Sequence, residues 1–435
     1  MSGVGEGLRP LGAAELTADV VVIGAGIVGL STALTLRRRG HQVLLLDRDG
    51  VAAQASRGNA GAYAFSDLLP MASPGILRQV PRWLLDPLGP LALRPGYLLP
   101  LLPWLWRFWR ASRPAAFAAS IQAQAALMQL AAPATWRLLD AAGARPMLRS
   151  GGNLHLYESE AEWKASLPGW QLRAEHGIAF EHAHGAAAIA SWQPGLSPGL
   201  VAATFVPAWH TINDPLLLCQ AVAAAFETVG GRLRQATVRA LHAAPGAVDA
   251  LGLQLADGRR LQAQRVVVAA GAWSHHLART LGERIPLETE RGYNTTLPPG
   301  AFDLQRQLTF PGHGFVLTPI AGGVRVGGAV ELAGLHAPPN YKRADSLLAK
   351  AQRFLPGLKA SGGTPWMGMR PSLPDSLPAI GPARADARIT YAFGHGHLGL
   401  TQAAATAEIV AALVAGERPP LDLRPFNPAR FARPT

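Results

Sequence analysis

The sequence predicts an α/β protein, a Rossmann-like domain interleaved with an α+β domain that contains a largely antiparallel sheet. Three observations predict it. The run from Asp19 through Val20-Val-Val-Ile23 to Gly24, Ala25, Gly26, Ile27, Val28 and Gly29, followed by Val43-Leu-Leu-Leu46 and Asp47, reads as strand, tight turn, helix, strand and acid. Further apolar strands and helices return after residue 211, and short apolar alternations with turn residues fill residues 285–330.

Bulk properties bound the class. The 435 residues exceed one ordinary compact core, so two domains or one large interrupted domain are expected. The formal net charge is +12, from 40 Lys and Arg against 28 Asp and Glu, but the basic residues are scattered, so no nucleic-acid-reading surface is predicted. One cysteine, Cys219, excludes an intrachain disulfide and a multi-cysteine metal cluster. No basic segment followed by an apolar core and cleavage site opens the chain, so a cytoplasmic location is expected.

Taken in order, the glycine-rich residues 1–18 read as a loose leader. Val20–Ile23 is a buried parallel strand, Ile27–Arg39 a helix ended by Gly40, and Val43–Leu46 the second strand. Gly24 makes the tight turn, Gly26 admits a pyrophosphate, and Gly29 permits close helix–strand packing. Helix-start N–H groups then face the phosphates. Asp47 is placed to accept from ribose hydroxyls, and Arg48 stands beside it.

Residues 70–113 change character. Prolines 70, 74, 81, 87, 90, 95, 100 and 103 are expected to break the segment into short pieces, while Trp83, Trp104, Trp106 and Trp109 load it with aromatic surface. Leu98–Arg113 either lies on a bilayer, with Arg107, Arg110 and Arg113 at the headgroups, or packs between domains. Residues 115–142 read as one or two helices with a break near Pro133; Asp214–Val229, Tyr341–Phe354 and Gln402–Val414 are further helices. Strands are predicted at Val238–Leu241, Leu251–Leu255 and Arg265–Ala269, with others in the 152–157, 314–319 and 324–327 segments.

Three later islands carry chemistry. Val267-Val-Ala-Ala270-Gly271-Ala-Trp273 runs a strand into glycine at a carboxyl-end crevice, and Val238 is a further wall candidate. Ser56, Arg57, Asn59, Ala60 and Gly61 offer hydroxyl, amide and backbone groups to a pyrophosphate or ring edge; helix capping by Ser56 and a surface role for Arg57 are the alternatives. Arg370, in Gly368-Met-Arg-Pro371, can clamp a carboxylate through its planar fork, the alternative being a salt bridge to Asp375. Gly394, His395, Gly396, His397, Leu398, Gly399, Leu400 and Thr401 precede the last helix, whose first N–H groups can stabilise negative charge. The two histidines alternate, so they need not share a site, and a zinc pair lacks a third ligand at suitable spacing. Tyr293 is a pocket candidate whose alternative is ordinary packing.

These motifs, in this order over residues 18–430, resemble the FAD-dependent D-amino-acid oxidase and dehydrogenase superfamily, nearest the bacterial D-amino-acid dehydrogenase branch with its hydroxy-D-proline dehydrogenase-like enzymes. The resemblance implies a discontinuous FAD-binding domain (1–75, 211–282 and 372–435) and a substrate domain (76–210 and 283–371). It implies noncovalent FAD, Arg370 on the substrate carboxylate, Tyr293 touching it, and residues 395–400 along the flavin. It implies oxidation of a carboxylate-bearing amine by hydride transfer from Cα to flavin N5, with D-proline and cis-4-hydroxy-D-proline as attractive substrates. A quinone or respiratory carrier is the expected electron acceptor, with oxygen as the rival, and peripheral contact with the inner face of the cell membrane is a separate expectation. The alternatives are a glycine, sarcosine or broad D-amino-acid oxidase using oxygen, an NAD-dependent enzyme, and a noncatalytic flavin-binding scaffold.

Overall fold

The computed structural model describes residues 8–76, 91–242, 250–321 and 323–432. Trp83 and prolines 81, 87 and 90 lie outside them.

The opening motif builds the centre of the first sheet. Thr17–Ile23 pairs in parallel with Val43–Asp47 on one side and with Arg260–Val268 on the other. Arg232–Gln235 extends the sheet beyond Val43–Asp47. Arg260–Val268 has two partners on its far side: its first half pairs antiparallel with Leu251–Leu255, and Val266–Val268 pairs in parallel with Ile389–Phe393. The predicted strands are present, with the first starting at Thr17 rather than Val20. Residues 8–16 are not loose: Leu11 is buried, Pro10 bridges to Gln235, and Glu15 pairs with Arg234 at 2.9 Å. That edge contact fixes the segment before the strand begins.

The helix Ile27–Arg38 packs against Pro215–Thr228 and Gly399–Ala415, burying Leu30, Leu34 and Leu36. Asp214 caps Pro215–Thr228, accepting from the Leu216 N–H at 2.7 Å, and Pro215 occupies the first turn, where its missing N–H costs nothing. Pro114–Ala141 is one helix, without the expected break at Pro133. Packing decides this: the helix lies along Gly399–Ala415, with buried Ala131 and Ala134 flanking the proline and Arg137 paired to Glu408. Tertiary contacts thus offset the lost hydrogen bond. This is also the one helix among the described residues long and apolar enough to cross a membrane.

The second sheet runs in the order Thr364–Ser372, Glu288–Leu297, Gly323–Leu332, Phe315–Ile320, Gln307–Phe310, Asn153–Tyr157, Ala202–Val206, Glu181–His184. It is largely antiparallel; the Gln307–Phe310 pairing with Asn153–Tyr157 and the edge strand Leu91–Leu93 are parallel. The tryptophan-rich segment is not broken up: Leu98–Ala111 is a continuous helix, with Pro100 in its first turn and Pro103 inside it. Leu101 and Trp104 pack on Leu332 and hold it to the sheet.

Candidate active site

The two sheets face each other across one cavity of about 1580 Å³, larger than an ordinary small-molecule pocket. At one end lies the turn after Thr17–Ile23. Gly24 has φ +110°, and an added Cβ there would meet the Ala269 carbonyl at 2.4 Å. At Gly29 a Cβ would stand 1.8 Å from the Gly24 carbonyl oxygen, so the helix can sit this close to the strand only through glycine. A Cβ on Gly26 would meet only Ser56 Oγ, at 3.2 Å. Ser56 Oγ accepts from the Ile27 N–H at 3.0 Å, so it caps the helix before it in the chain rather than the next one, and Ser56 lines the cavity. Ile27 and Val28 present the first helical turn, whose N–H groups have no intrahelical acceptor.

Asp47 Oδ2 accepts from the Ala25 N–H at 2.7 Å, and Oδ1 accepts from Asp49 and Gly50 at 2.8 and 2.9 Å. A carboxylate offers about four acceptor positions, which leaves room for a hydroxyl from the cavity. Arg48 lies over the Trp273 ring at 3.9 Å, and Val238, Ala270 and Gly271 complete that wall. Asn59 and Ala60 line the cavity; Arg57 points to solvent and does not, and Gly61, with φ +73°, shapes the turn instead. Ala25 and Gly29 likewise contribute backbone geometry rather than lining. These residues fit a dinucleotide: glycines at close approach, orphan helix N–H groups and an acid at the far edge.

The other wall belongs to the second sheet. Glu290, Gly292 and Asn294 stand opposite Arg370, Gly368 and Trp366, so these six share one face. Asn294 Nδ2 donates to the Gly58 carbonyl at 2.9 Å, and Arg325 Nη1 donates to that of Asn59, tying this sheet to the loop after Asp47. The Trp366 ring lies between Gly58 and Gly368, where an added Cβ would stand 2.1 and 1.9 Å from it. Arg370 crosses over Gly292, and its Nη1 donates to the Ala329 carbonyl at 3.2 Å. Ala329 has φ +55° at an irregularity in the strand, which turns that carbonyl toward the guanidinium. Asp375 pairs with Arg430, not with Arg370, and among the described residues Arg370 has no ion pair. Burial lowers its pKa, with the Glu290 charge opposing.

Tyr293 lines the same cavity, as the pocket candidate was expected to. Its position has the parity opposite to Glu290 and Gly292, and its hydroxyl donates to Glu331 and accepts from the Asn340 N–H at 3.0 Å. Glu331 also pairs with Arg291 at 3.1 Å. These partners fix the side chain, which is 1% exposed, at the border of the cavity.

The segment from His395 to Thr401 closes the cavity between the two halves. Gly394, with φ +87°, packs on Leu373, and the Gly396 N–H donates to the Pro371 carbonyl at 2.8 Å, which pins this loop to the strand of Arg370. Thr401 Oγ1 accepts from the Ala64 N–H. The histidines diverge. His395 Nε2 bonds Thr406 Oγ1 at 2.9 Å, and burial pushes its pKa down to about 3, so it is neutral. His397 Nε2 bonds Asp67 Oδ2 at 3.2 Å. Its side chain is 40% accessible, through the cavity it lines.

Burial opposes the His397 charge, but the hydrogen bond and charge of Asp67 raise its pKa. Burial would raise Asp67, yet His397 and Arg173 hold it low. The raised histidine contributes stability that is complete below its unfolded pKa and lost as pH rises through the folded one; the lowered acid contributes stability lost as pH falls through its own folded pKa. The pair therefore stabilises most between those two limits. His397→Gln should remove the alkaline loss, so thermal unfolding of the variant will vary less between about pH 6 and 9 than that of the parent.

Asp67, Arg173, Glu290, Asn294, Arg325 and Trp366 do not stand out as site residues in the sequence. The available signal is the alternation Glu290-x-Gly292-x-Asn294 against Trp366-x-Gly368-x-Arg370; Asp67 gives none, because its partner lies 330 positions away.

A sheet whose turn and helix start fit a dinucleotide thus faces, across one cavity, a sheet that presents a guanidinium. The chain belongs to the FAD dependent oxidoreductase family, which it matches over residues 19–413. It is 35% identical over 425 residues to a D-amino-acid oxidase of Bradyrhizobium diazoefficiens, covering 95% of this chain and 98% of that protein. It is 30% identical over 419 residues to a D-amino acid dehydrogenase of Rhizobium johnstonii, covering 95% and 99%. Glycine oxidase from Geobacillus kaustophilus has a similar fold, with a TM-score of 0.72 and 20% identity over 96% of this chain and all of that one. The chain is thus an FAD-dependent enzyme, and the expected α/β class with its antiparallel part is the fold observed.

Proposed function

We propose that this enzyme oxidises a D-amino acid or a cyclic secondary amino acid, with D-proline and cis-4-hydroxy-D-proline as first candidates. The observation that carries the reading is Arg370, a half-buried guanidinium open to the cavity with one carbonyl partner and no ion pair among the described residues. Such a group favours a carboxylate, held by charge-assisted bonds. The names of the two curated relatives support the D-amino-acid class.

Gly24, Gly26–Val28, Asp47, Ser56, Asn59, Ala60, Val238, residues 270–273 and residues 395–401 would hold FAD noncovalently, and the flavin would supply a two-electron acceptor for the amine oxidation. Arg370 holds the carboxylate and so orients Cα, converting binding into alignment. Trp366 covers the site and limits water. Neutral His395 holds the loop through Thr406 and carries no proton to the reaction. The product imine leaves as a cyclic species or hydrolyses. The discontinuous division at residues 1–75, 211–282 and 372–435 against 76–210 and 283–371 is supported by sheet membership.

Electron delivery to a quinone or respiratory carrier, from a cytoplasmic enzyme resting on the inner face of the membrane, is supported by the helix Leu98–Ala111. Its inner residues Leu101, Trp104 and Phe108 line the cavity, while Leu99 is 77% and Trp106 53% exposed on the outside. Arg110 and Arg113 lie over Trp106 and Trp109, and residues 87–139 contain no acid. An anionic bilayer suits that surface. Replacing Leu99, Trp106 and Trp109 together by Gln should abolish sedimentation with phosphatidylglycerol vesicles; unchanged sedimentation overturns the membrane reading.

The decisive experiment is anaerobic bleaching of the bound flavin across glycine, sarcosine, D-proline, cis-4-hydroxy-D-proline and common D-amino acids. Addition of oxygen or a quinone to the reduced protein then identifies the acceptor. Absence of bleaching by every D-amino acid and by both proline derivatives overturns the proposal.

A further inference from the structure

Glu290 and Arg370 are register partners on adjacent antiparallel strands, so their side chains rise from the same face toward the same cavity. Glu290 is only 5% exposed, and Arg370 is half-buried. Their charges act on each other, but no hydrogen bond joins them. Arg370 leans across Gly292 toward the Ala329 carbonyl, and the two charges form no ion pair. Among the described residues, nothing donates a hydrogen bond to the Glu290 carboxylate. An uncompensated buried charge is costly, so a carboxylate kept in this position calls for a cationic partner from the cavity.

The neighbouring charges narrow what that partner can be. Across from Glu290, Asp67 and His397 bond each other, and Arg173 lies near Asp67 at 3.8 Å. Asp67 therefore has a bonded partner, while Glu290 has only the unbonded charges of Arg370 and His397 near it. Glu290 and Arg370 thus stand side by side on one face of the sheet, while Arg325, farther along it, is bonded to Thr296 and the Asn59 carbonyl.

We infer that Glu290 is the recognition group for the ammonium of a zwitterionic amino acid whose carboxylate sits on Arg370. This deepens the function proposed above and rests on its assignment of Arg370. With carboxylate and nitrogen both held, the other two Cα substituents can exchange places only if the ligand turns over. Glu290 therefore converts an anion clamp into a site that distinguishes mirror images.

The test uses the full-length, FAD-loaded protein and two ligands without a Cα hydrogen, neither of which can be dehydrogenated at that carbon. These are 2-aminoisobutyrate and pivalate, of nearly equal shape, the first bearing an ammonium where the second bears a methyl. Binding is read from the perturbation of flavin absorbance. Wild-type protein should prefer 2-aminoisobutyrate by about 10- to 100-fold, the worth of one charge-assisted hydrogen bond. Glu290→Gln should lose that preference while binding pivalate at least as well as before. No preference in the wild type, a readout that does not depend on any variant folding, overturns the inference, as does an unchanged preference in Glu290→Gln. Arg370→Met should lose both ligands; if it keeps pivalate, the failure lies in the carboxylate clamp and not in Glu290.

Discussion

Arg370→Ala is expected to lower kcat/KM for the amino-acid substrate by roughly 10²- to 10³-fold, the cost of removing one partner from a buried, hydrogen-bonded charge pair. FAD content should change little, because the residues that cradle the nucleotide lie on the other sheet, and in the resting protein the guanidinium bonds only the Ala329 carbonyl. Lys at this position should recover only part of the loss, since an ammonium supplies charge without the planar fork. Normal turnover by purified, FAD-loaded Arg370→Ala would sink the clamp assignment.

Gly29→Ala should produce the largest structural effect. The added Cβ would stand 1.8 Å from the Gly24 carbonyl, a backbone atom that cannot retreat without moving the strand or the helix. Separating them spreads the phosphate cradle and unpacks Leu30 and Leu34, so a stability loss of about 3 kcal/mol is expected together with loss of bound FAD. Gly26→Ala is the informative contrast. Its Cβ meets only a serine hydroxyl, so stability should be largely kept while FAD affinity falls. Thermal unfolding and flavin stoichiometry of the two variants separate these effects; equal stability of both would remove the packing explanation.

The nucleotide half was legible in sequence because its constraints are local. A turn with positive φ, a close helix–strand approach and an acid at a strand end each leave their residue type within one short stretch; Gly24 makes the turn, Gly29 permits the close approach, and Asp47 ends its strand bonded to the Ala25 N–H. Arg370 was legible by charge, yet its neighbours were not. Tyr293 stood out as an aromatic and does border the cavity with its hydroxyl held by Glu331, but Glu290, of opposite parity on the same strand, lines it too and did not stand out. Which face of a strand is covered depends on what packs against it, and a strand read alone does not contain that fact. The tryptophan-rich helix shows the opposite error: Pro100 and Pro103 pointed to breaks, whereas the first-turn position of one and the packing of Leu101 and Trp104 on Leu332 keep the helix continuous.

The lodging of Trp366 between Gly58 and Gly368 has a consequence for how this protein can change over time. Neither glycine can acquire a side chain while the indole remains, and a smaller residue in place of the indole leaves a void bordered by both. The three positions therefore form one unit of variation: a larger residue at 58 or 368 becomes admissible only after 366 has shrunk. Descendants of this chain would substitute there together or not at all.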